Sequence, residues 1–257
     1  MLKRQIGLFL VAMGFFTRIP MPAWVFTDTE KLNRASRYFG LVGTFVGIIT
    51  ATVFWLAQTV LPIGVAVVLS MIVSVLLTGG FHEDGLADTA DGLGGGWKVA
   101  DKLNIMKDSR LGSYGALALV LVLLLKWQSL TELALYDPIT VVAALIAAHT
   151  LSRVVAASFI FTETYVRDDE TSKSKPLASE QNVNDISILL LCSLPVALLV
   201  HHQVFVYLVV TMLVARFVLV RIFRRQIGGY TGDVLGAVQQ VCELICYLVI
   251  LLAGGLN

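Results

Sequence analysis

What this chain can fold into is limited first by seven apolar stretches that recur along it, at about 38–61, 63–81, 114–135, 138–161, 186–201, 203–223 and 235–255. Most come near the roughly 20 apolar residues that a helix needs to cross a hydrocarbon core of about 30 Å. In lipid each backbone N–H and C=O must be paired within its own segment, so such stretches read as helices. Composition agrees, with 57% hydrophobic and 14% charged residues, against about 25% charged in an ordinary soluble domain. The expected fold is an all-α polytopic membrane protein with about seven transmembrane helices, a single integral membrane domain over 1–257. The 186–201 stretch is the weakest, because Pro195 interrupts it and His201-His202 closes it early. Pro62 joins the first two stretches and predicts a tight hairpin.

Near the N-terminus, Lys3-Arg4 precede an apolar run from Ile6 to Phe16 that imitates a signal peptide. The run is followed by Thr17-Arg18-Ile19-Pro20-Met21-Pro22 rather than by a small-residue cleavage site. It is expected to be a short interfacial or re-entrant helix. The soluble-looking segments are 17–37, 82–113, 162–185 and 224–234. Lysine and arginine in short loops mark the cytoplasmic side. They concentrate in the N-terminal segment (Lys3, Arg4, Arg18, Lys31, Arg34, Arg37) and in the second segment (Lys98, Lys102, Lys107, Arg110). Arg167, Lys173 and Lys175 follow in the third, and Arg224 and Arg225 in the last. The connections near Pro62, Asp137 and His201-His202 have none. With seven spans, the N-terminus and every polar loop fall in the cytoplasm and the C-terminus outside. A net charge of +1 without a long basic run carries no nucleic-acid signature. Cys192, Cys242 and Cys246 lie in apolar segments and read as packing residues.

Against this background, Phe81-His82-Glu83-Asp84-Gly85-Leu86-Ala87-Asp88-Thr89-Ala90-Asp91-Gly92 is anomalous. Asp84, Asp88 and Asp91 are spaced i, i+4 and i+7, which lines them up on one helical face. Three like charges on one stripe destabilise a bare helix, and a hard divalent cation reverses that sign. Mg²⁺ takes one or two carboxylates plus waters and substrate phosphate, and it neutralises charge on phosphate oxygens during phosphoryl transfer. Asp108, across the glycine-rich turn, is placed to close such a site, and Arg110 to grip a phosphate bidentately. The competing reading is a solvated acidic face balanced by Lys98, Lys102 and Lys107. His82 fits a general base or a metal ligand, although Mg²⁺ rarely takes imidazole, and fits a hydrogen-bonded supporting group equally well. Gly94-Gly95-Gly96 reads either as backbone N–H groups approaching a phosphate or as a flexible turn.

A second polar cluster, Gly228-Gly229-Tyr230-Thr231-Gly232-Asp233, precedes the last stretch. Asp233 is there either a helix N-cap or a phosphate or metal contact on the same side as the acids. Arg153 and Arg216 lie inside apolar stretches near their cytoplasmic ends, where arginine is functional or snorkels to the headgroups. Lys126 with Trp127 suggests interfacial anchoring, and Glu243 a partner for one of the arginines.

The run from Phe81 to Gly92, followed by Met106-Lys107-Asp108-Ser109-Arg110-Leu111-Gly112, closely resembles the cobalamin synthase family, the adenosylcobinamide-GDP ribazoletransferases. Phe16-Thr17-Arg18-Ile19-Pro20 and Gly228-Gly229-Tyr230-Thr231-Gly232-Asp233-Val234-Leu235-Gly236-Ala237 are similar to that family's terminal signatures, so the resemblance runs the length of the chain. It implies a Mg²⁺-dependent enzyme of the cytoplasmic (inner) membrane, acting in the last stage of cobalamin nucleotide-loop assembly. That enzyme joins adenosylcobinamide-GDP to α-ribazole, or its 5′-phosphate, and releases GMP. By resemblance Asp84, Asp88, Asp91 and Asp108 hold metal, with Glu83 assisting and His82 as the candidate base. Arg110, Arg18 and Arg153 hold phosphates, and Gly94, Gly95, Thr231 and Asp233 contact substrate. Membrane lipid, other corrinoid-assembly enzymes and further copies of the chain are the partners it leaves open. Two readings compete. A CDP-alcohol phosphotransferase follows the pattern D-x2-D-G-x2-A-R with a later D-x3-D, whereas here Gly85 follows Asp84 directly and no Ala-Arg pair follows Asp91-Gly92. A secondary transporter keeps its acids near mid-membrane, whereas these crowd one rim.

Overall fold

The computed structural model describes residues 2–26, 33–167 and 183–254. Among them the chain is helical, and its one extended pairing is an isolated parallel bridge between Tyr165 and Tyr230. In chain order the α-helices are α1 (Leu2–Phe16), α2 (Phe39–Ala57), α3 (Ile63–Thr78), α4 (Phe81–Gly95), α5 (Val99–Ile105), α6 (Ser113–Tyr136), α7 (Pro138–Thr162), α8 (Val183–Leu191), α9 (His202–Ile227) and α10 (Gly232–Gly254). Of the basic loop residues read above, Lys31, Lys173 and Lys175 lie outside the described residues.

Five helices are long and apolar enough to cross a membrane alone: Asn33–Ala57, which includes α2, then α6, α7, α9 and α10. The pair α3 and α4 makes a sixth candidate, bent by 87° at its break. The expected count of seven is therefore not reached. Two places account for the difference. The 63–81 stretch stops as a 16-residue helix, about 24 Å long. The 186–201 stretch divides into the nine-residue α8 and a 3-10 turn, Leu194–Leu198, because Pro195 has no N–H to continue the ladder. The short N-terminal helix is present as α1, whose Leu8, Val11, Ala12, Met13 and Phe16 are buried.

Side chains follow the inverse pattern of a water-soluble protein. Leu76, Leu121, Leu213 and Leu252 on the outer faces of α3, α6, α9 and α10 are between 63% and 71% exposed. His149, Arg153, Lys126 and Glu243 are buried. The bundle is held where backbones can come close. The most extensive helix contact is between α2 and α7: a β-carbon on Gly47 would lie 2.7 Å from the Ile146 Cα, and one on Gly43 would run into the His149 carbonyl. α4 packs between α10 and α6 across the end of the bundle. Its crossing with α10 depends on Gly85, where a β-carbon would meet the Asp233 carbonyl oxygen at 2.7 Å, and on Gly236, where a β-carbon would lie 3.2 Å from Gly85 Cα.

Candidate functional site

The site begins with a bend. Gly79 (φ +69°) and Gly80 (φ +70°) are consecutive left-handed residues, a conformation that a β-carbon makes costly. They turn the chain out of α3 so that α4, with all of the acids, lies across the end of the bundle. Glu83 and Asp84 fall in the first turn of α4, where the helix dipole favours negative charge. Beside the bend, the Arg18 backbone N–H donates to the Leu77 carbonyl at 2.7 Å, and the Arg18 side chain lies against Gly79.

An open cleft of about 950 Å³ occupies this corner, lined by Arg18, Glu83, Asp84, Arg167 and Asp233 among others. Arg167, which the sequence does not single out, arrives through the Tyr165–Tyr230 bridge. Tyr230 N–H donates to the Thr164 carbonyl at 2.9 Å and Val166 N–H to the Tyr230 carbonyl at 3.1 Å. The Arg167 guanidinium then donates to Asp233 Oδ2 at 2.9 Å and to the Met106 carbonyl at 3.2 Å. The N-terminal cap of α10 falls to Thr231, whose Oγ1 accepts from Val234 N–H at 3.3 Å. Asp233 is thus not the helix cap; its carboxylate lines the cleft, paired with Arg167.

The carboxylates in this corner are under-neutralised. Asp84 is exposed and Asp88, one turn along, half-buried. Burial first, then the charges of Asp233 and Asp84, push the Asp88 carboxyl up to about 7, with Arg167 opposing. Glu83 is buried; its Oε1 accepts from Gln240 Nε2 at 3.0 Å, while its Oε2 has no partner. An orphaned carboxylate oxygen beside two further acids fits a cation. No group of three or more His, Cys, Asp or Glu forms a ready-made metal cage among the described residues. Mg²⁺ does not need one, since waters and phosphate complete its shell.

Other residues read from the sequence fall elsewhere. Both Asp91 oxygens are occupied, accepting from Gly112 N–H at 2.8 Å and Gly115 N–H at 2.9 Å, so Asp91 caps the N-terminus of α6. Asp108 and Arg110 pair with each other on the exposed turn, Arg110 Nε donating at 3.0 Å, which holds the Asp108 carboxyl down at about 2. Neither lines the cleft. Gly94 and Gly95 are the last residues of α4, packed against Tyr114 and Ile105. His82 faces the bundle interior, stacked on Phe16 with ring centroids 6.1 Å apart; burial first, then the Arg153 charge, depress its pKa and keep it neutral. Arg153 donates to the His149 carbonyl at 3.0 Å. It shares with His82 and Gln239 a separate cavity of about 20 Å³.

Beneath the cleft a buried polar chain leads inward from Glu83. Gln240 donates to Glu83 and also to Gln239 Oε1 at 3.0 Å, and Gln239 donates to Glu243 Oε2 at 2.6 Å. Glu243 is paired with Lys126, lies 3.4 Å from His149 Nδ1, and accepts from the Tyr247 hydroxyl at 2.9 Å. Lys126 is therefore not an interfacial anchor but the partner of Glu243, which pairs with it rather than with an arginine.

The family model described as cobalamin-5-phosphate synthase matches residues 8–251. An adenosylcobinamide-GDP ribazoletransferase of Shewanella oneidensis is 65% identical over 253 residues, covering 98% of this chain and 97% of its own. Those of Shewanella putrefaciens and Shewanella baltica are 64% and 63% identical over the same shares. No solved structure gives a significant match.

Proposed function

The chain belongs to the cobalamin-5-phosphate synthase family, and from that premise we propose how its cleft performs the family's transfer. Its function is that of an adenosylcobinamide-GDP ribazoletransferase. A ribose hydroxyl that is free in both α-ribazole and its 5′-phosphate attacks the phosphorus attached to cobinamide. The bond from that phosphorus to the bridging oxygen breaks, and GMP leaves with its own phosphate.

One observation carries the placement: Arg18, Glu83, Asp84, Arg167 and Asp233, from segments far apart in sequence, line a single cleft. Two guanidiniums at the walls suit a pyrophosphate, which they can grip through planar paired N–H groups. Glu83, through its unpartnered Oε2, and Asp84, Asp88 and Asp233 are the residues that would hold Mg²⁺. When bound, the ion would neutralise charge on the attacking and leaving oxygens. Asp91 and Asp108 contribute by fixing the start of α6 and the turn before it. The attacking hydroxyl's proton goes to a cleft carboxylate rather than to the inward-facing His82. We take the cleft to face the cytoplasm at the inner membrane, since Arg18 and Arg167 line it and Lys98, Lys102 and Lys107 lie in the segment between α4 and α6. Counting the short α3 and the broken segment of α8 and Leu194–Leu198 as crossings beside the five long helices gives the odd number that puts the N-terminus inside and the C-terminus outside.

The test is GMP release by detergent-purified protein given adenosylcobinamide-GDP, α-ribazole and Mg²⁺, with an EDTA arm and Asp84→Asn alongside. EDTA should abolish turnover, and Asp84→Asn should lower it roughly 10²–10³-fold, as for loss of one charge-stabilising group. Full activity in EDTA would remove the metal from the proposal, and full activity in Asp84→Asn would move the site elsewhere.

A further inference from the structure

On the side of the bundle formed by α7, α8 and α9, a second feature has no part in the transfer. An apolar groove of about 360 Å³ is walled by Leu151, Val155, Leu189, Met212 and Leu213, among others, and it reaches Thr162 and Arg216. Those two residues also line an adjoining cavity of about 650 Å³ with Arg221, Arg224, Arg225 and Glu163. The two spaces therefore meet at Thr162 and Arg216, one apolar and one basic. The groove exists because α8 is only nine residues long and its continuation is a 3-10 turn, which leaves α7 and α9 incompletely bridged.

Depth and charge both select the occupant. From Leu151 to Thr162 is eleven residues along α7, about 16 Å of groove. Arg216 donates through Nε to Ser158 Oγ at 2.7 Å and through Nη2 to Thr162 Oγ1 at 2.6 Å. It is thereby fixed at the level where α7 ends and the hydrocarbon gives way to headgroups. Arg221, Arg224 and Arg225 follow on the last two turns of α9 and are exposed. Among the described residues Glu163 is the one acid in this lining and pairs with Arg224, so four arginines there face one carboxylate. Basic residues at this position attract anionic lipid headgroups, and both volumes lie within the range of ligand sites.

We propose that the groove and its arginine basin form a binding site for one anionic phospholipid, with an acyl chain between α7, α8 and α9 and the phosphate at Arg216, Arg221 and Arg225. The site rests on membrane placement and not on the transferase reading, and it lies apart from the acidic cleft.

The test is native mass spectrometry of the full detergent-purified chain offered equal amounts of phosphatidylglycerol and phosphatidylcholine with matched acyl chains. One retained phosphatidylglycerol is expected, preferred about tenfold or more, the size that several headgroup-facing arginines should give. Arg221→Gln with Arg225→Gln should bring the two lipids close to parity. Leu213→Trp, at an exposed position that folding should tolerate, should fill the groove and remove retention of both lipids while GMP release is unchanged. Equal retention by the unaltered protein would overturn the site, as would retention indifferent to Leu213→Trp. So would displacement of the lipid by inorganic phosphate, which would mark the basin as a site for soluble anions.

Discussion

Two carboxylate clusters lie one above the other in this molecule and are treated in opposite ways. Around Glu243 the carboxylate itself is answered from within, by Lys126, His149, Tyr247 and Gln239, although His149 Nε2 and Arg153 Nε beside it have no partner. Around Asp84 and Asp88 the acids outnumber their cations: Arg167 is committed to Asp233, Glu83 Oε2 has no partner, and Asp88 is driven up to about 7. Buried charge persists only when paired and hydrogen-bonded, so the paired Lys126 and Glu243 read as scaffold. The upper cluster is incomplete, and its shortfall is positive charge. An active site that borrows a cation has this signature, and the comparison tells scaffold from site without recourse to motif.

The largest effect should come from unbalancing that pair. Lys126→Met leaves Glu243 without its cation and should cost about 3–5 kcal/mol of stability, read as unfolding in detergent. Lys126→Met with Glu243→Gln should recover much of that loss; a double variant as unstable as the single would mean that the pair is not the unit. In the unfinished cluster the cost should fall on substrate instead. Arg167→Gln removes a charged donor, worth about 1.5–3 kcal/mol, and should raise KM for adenosylcobinamide-GDP with little change in unfolding. An equally large loss of stability would make Arg167 a strut for the Tyr165–Tyr230 bridge. The smallest effect concerns pH. Asp88 holds its proton up to about 7 in the folded chain but only to about 3.9 when unfolded. The folded state therefore binds more protons across that window, and stability should decline as pH rises from about 4 to 7. Asp88→Asn should flatten that slope, as measured by thermal unfolding in metal-free buffer. An unchanged slope would assign it to another group.

What the sequence disclosed and what it hid differ in range. Apolar stretches are local, and 114–135, 138–161, 203–223 and 235–255 correspond closely to α6, α7, α9 and α10. The acids at i, i+4 and i+7 share a helix as expected, yet spacing alone could not say which carboxyl would meet the cleft and which would meet the amides of α6. That choice depends on α6 passing 21 and 24 residues downstream of Asp91. Gln240 and Arg167 were invisible for the same reason, since their partners lie 157 and 66 residues away. The bend after α3 was hidden differently: apolar residues run on through Phe81, so hydropathy masks it, and the signal was the Gly79-Gly80 pair itself.

That pair has a consequence for how variation at the bend will be read. Arg18 occupies the space where a Gly79 side chain would be. An alanine there would both oppose the chain's handedness and dislodge the guanidinium. Gly79→Ala should thus phenocopy the loss of Arg18, and a screen for inactive variants would return a backbone position as though it touched the nucleotide.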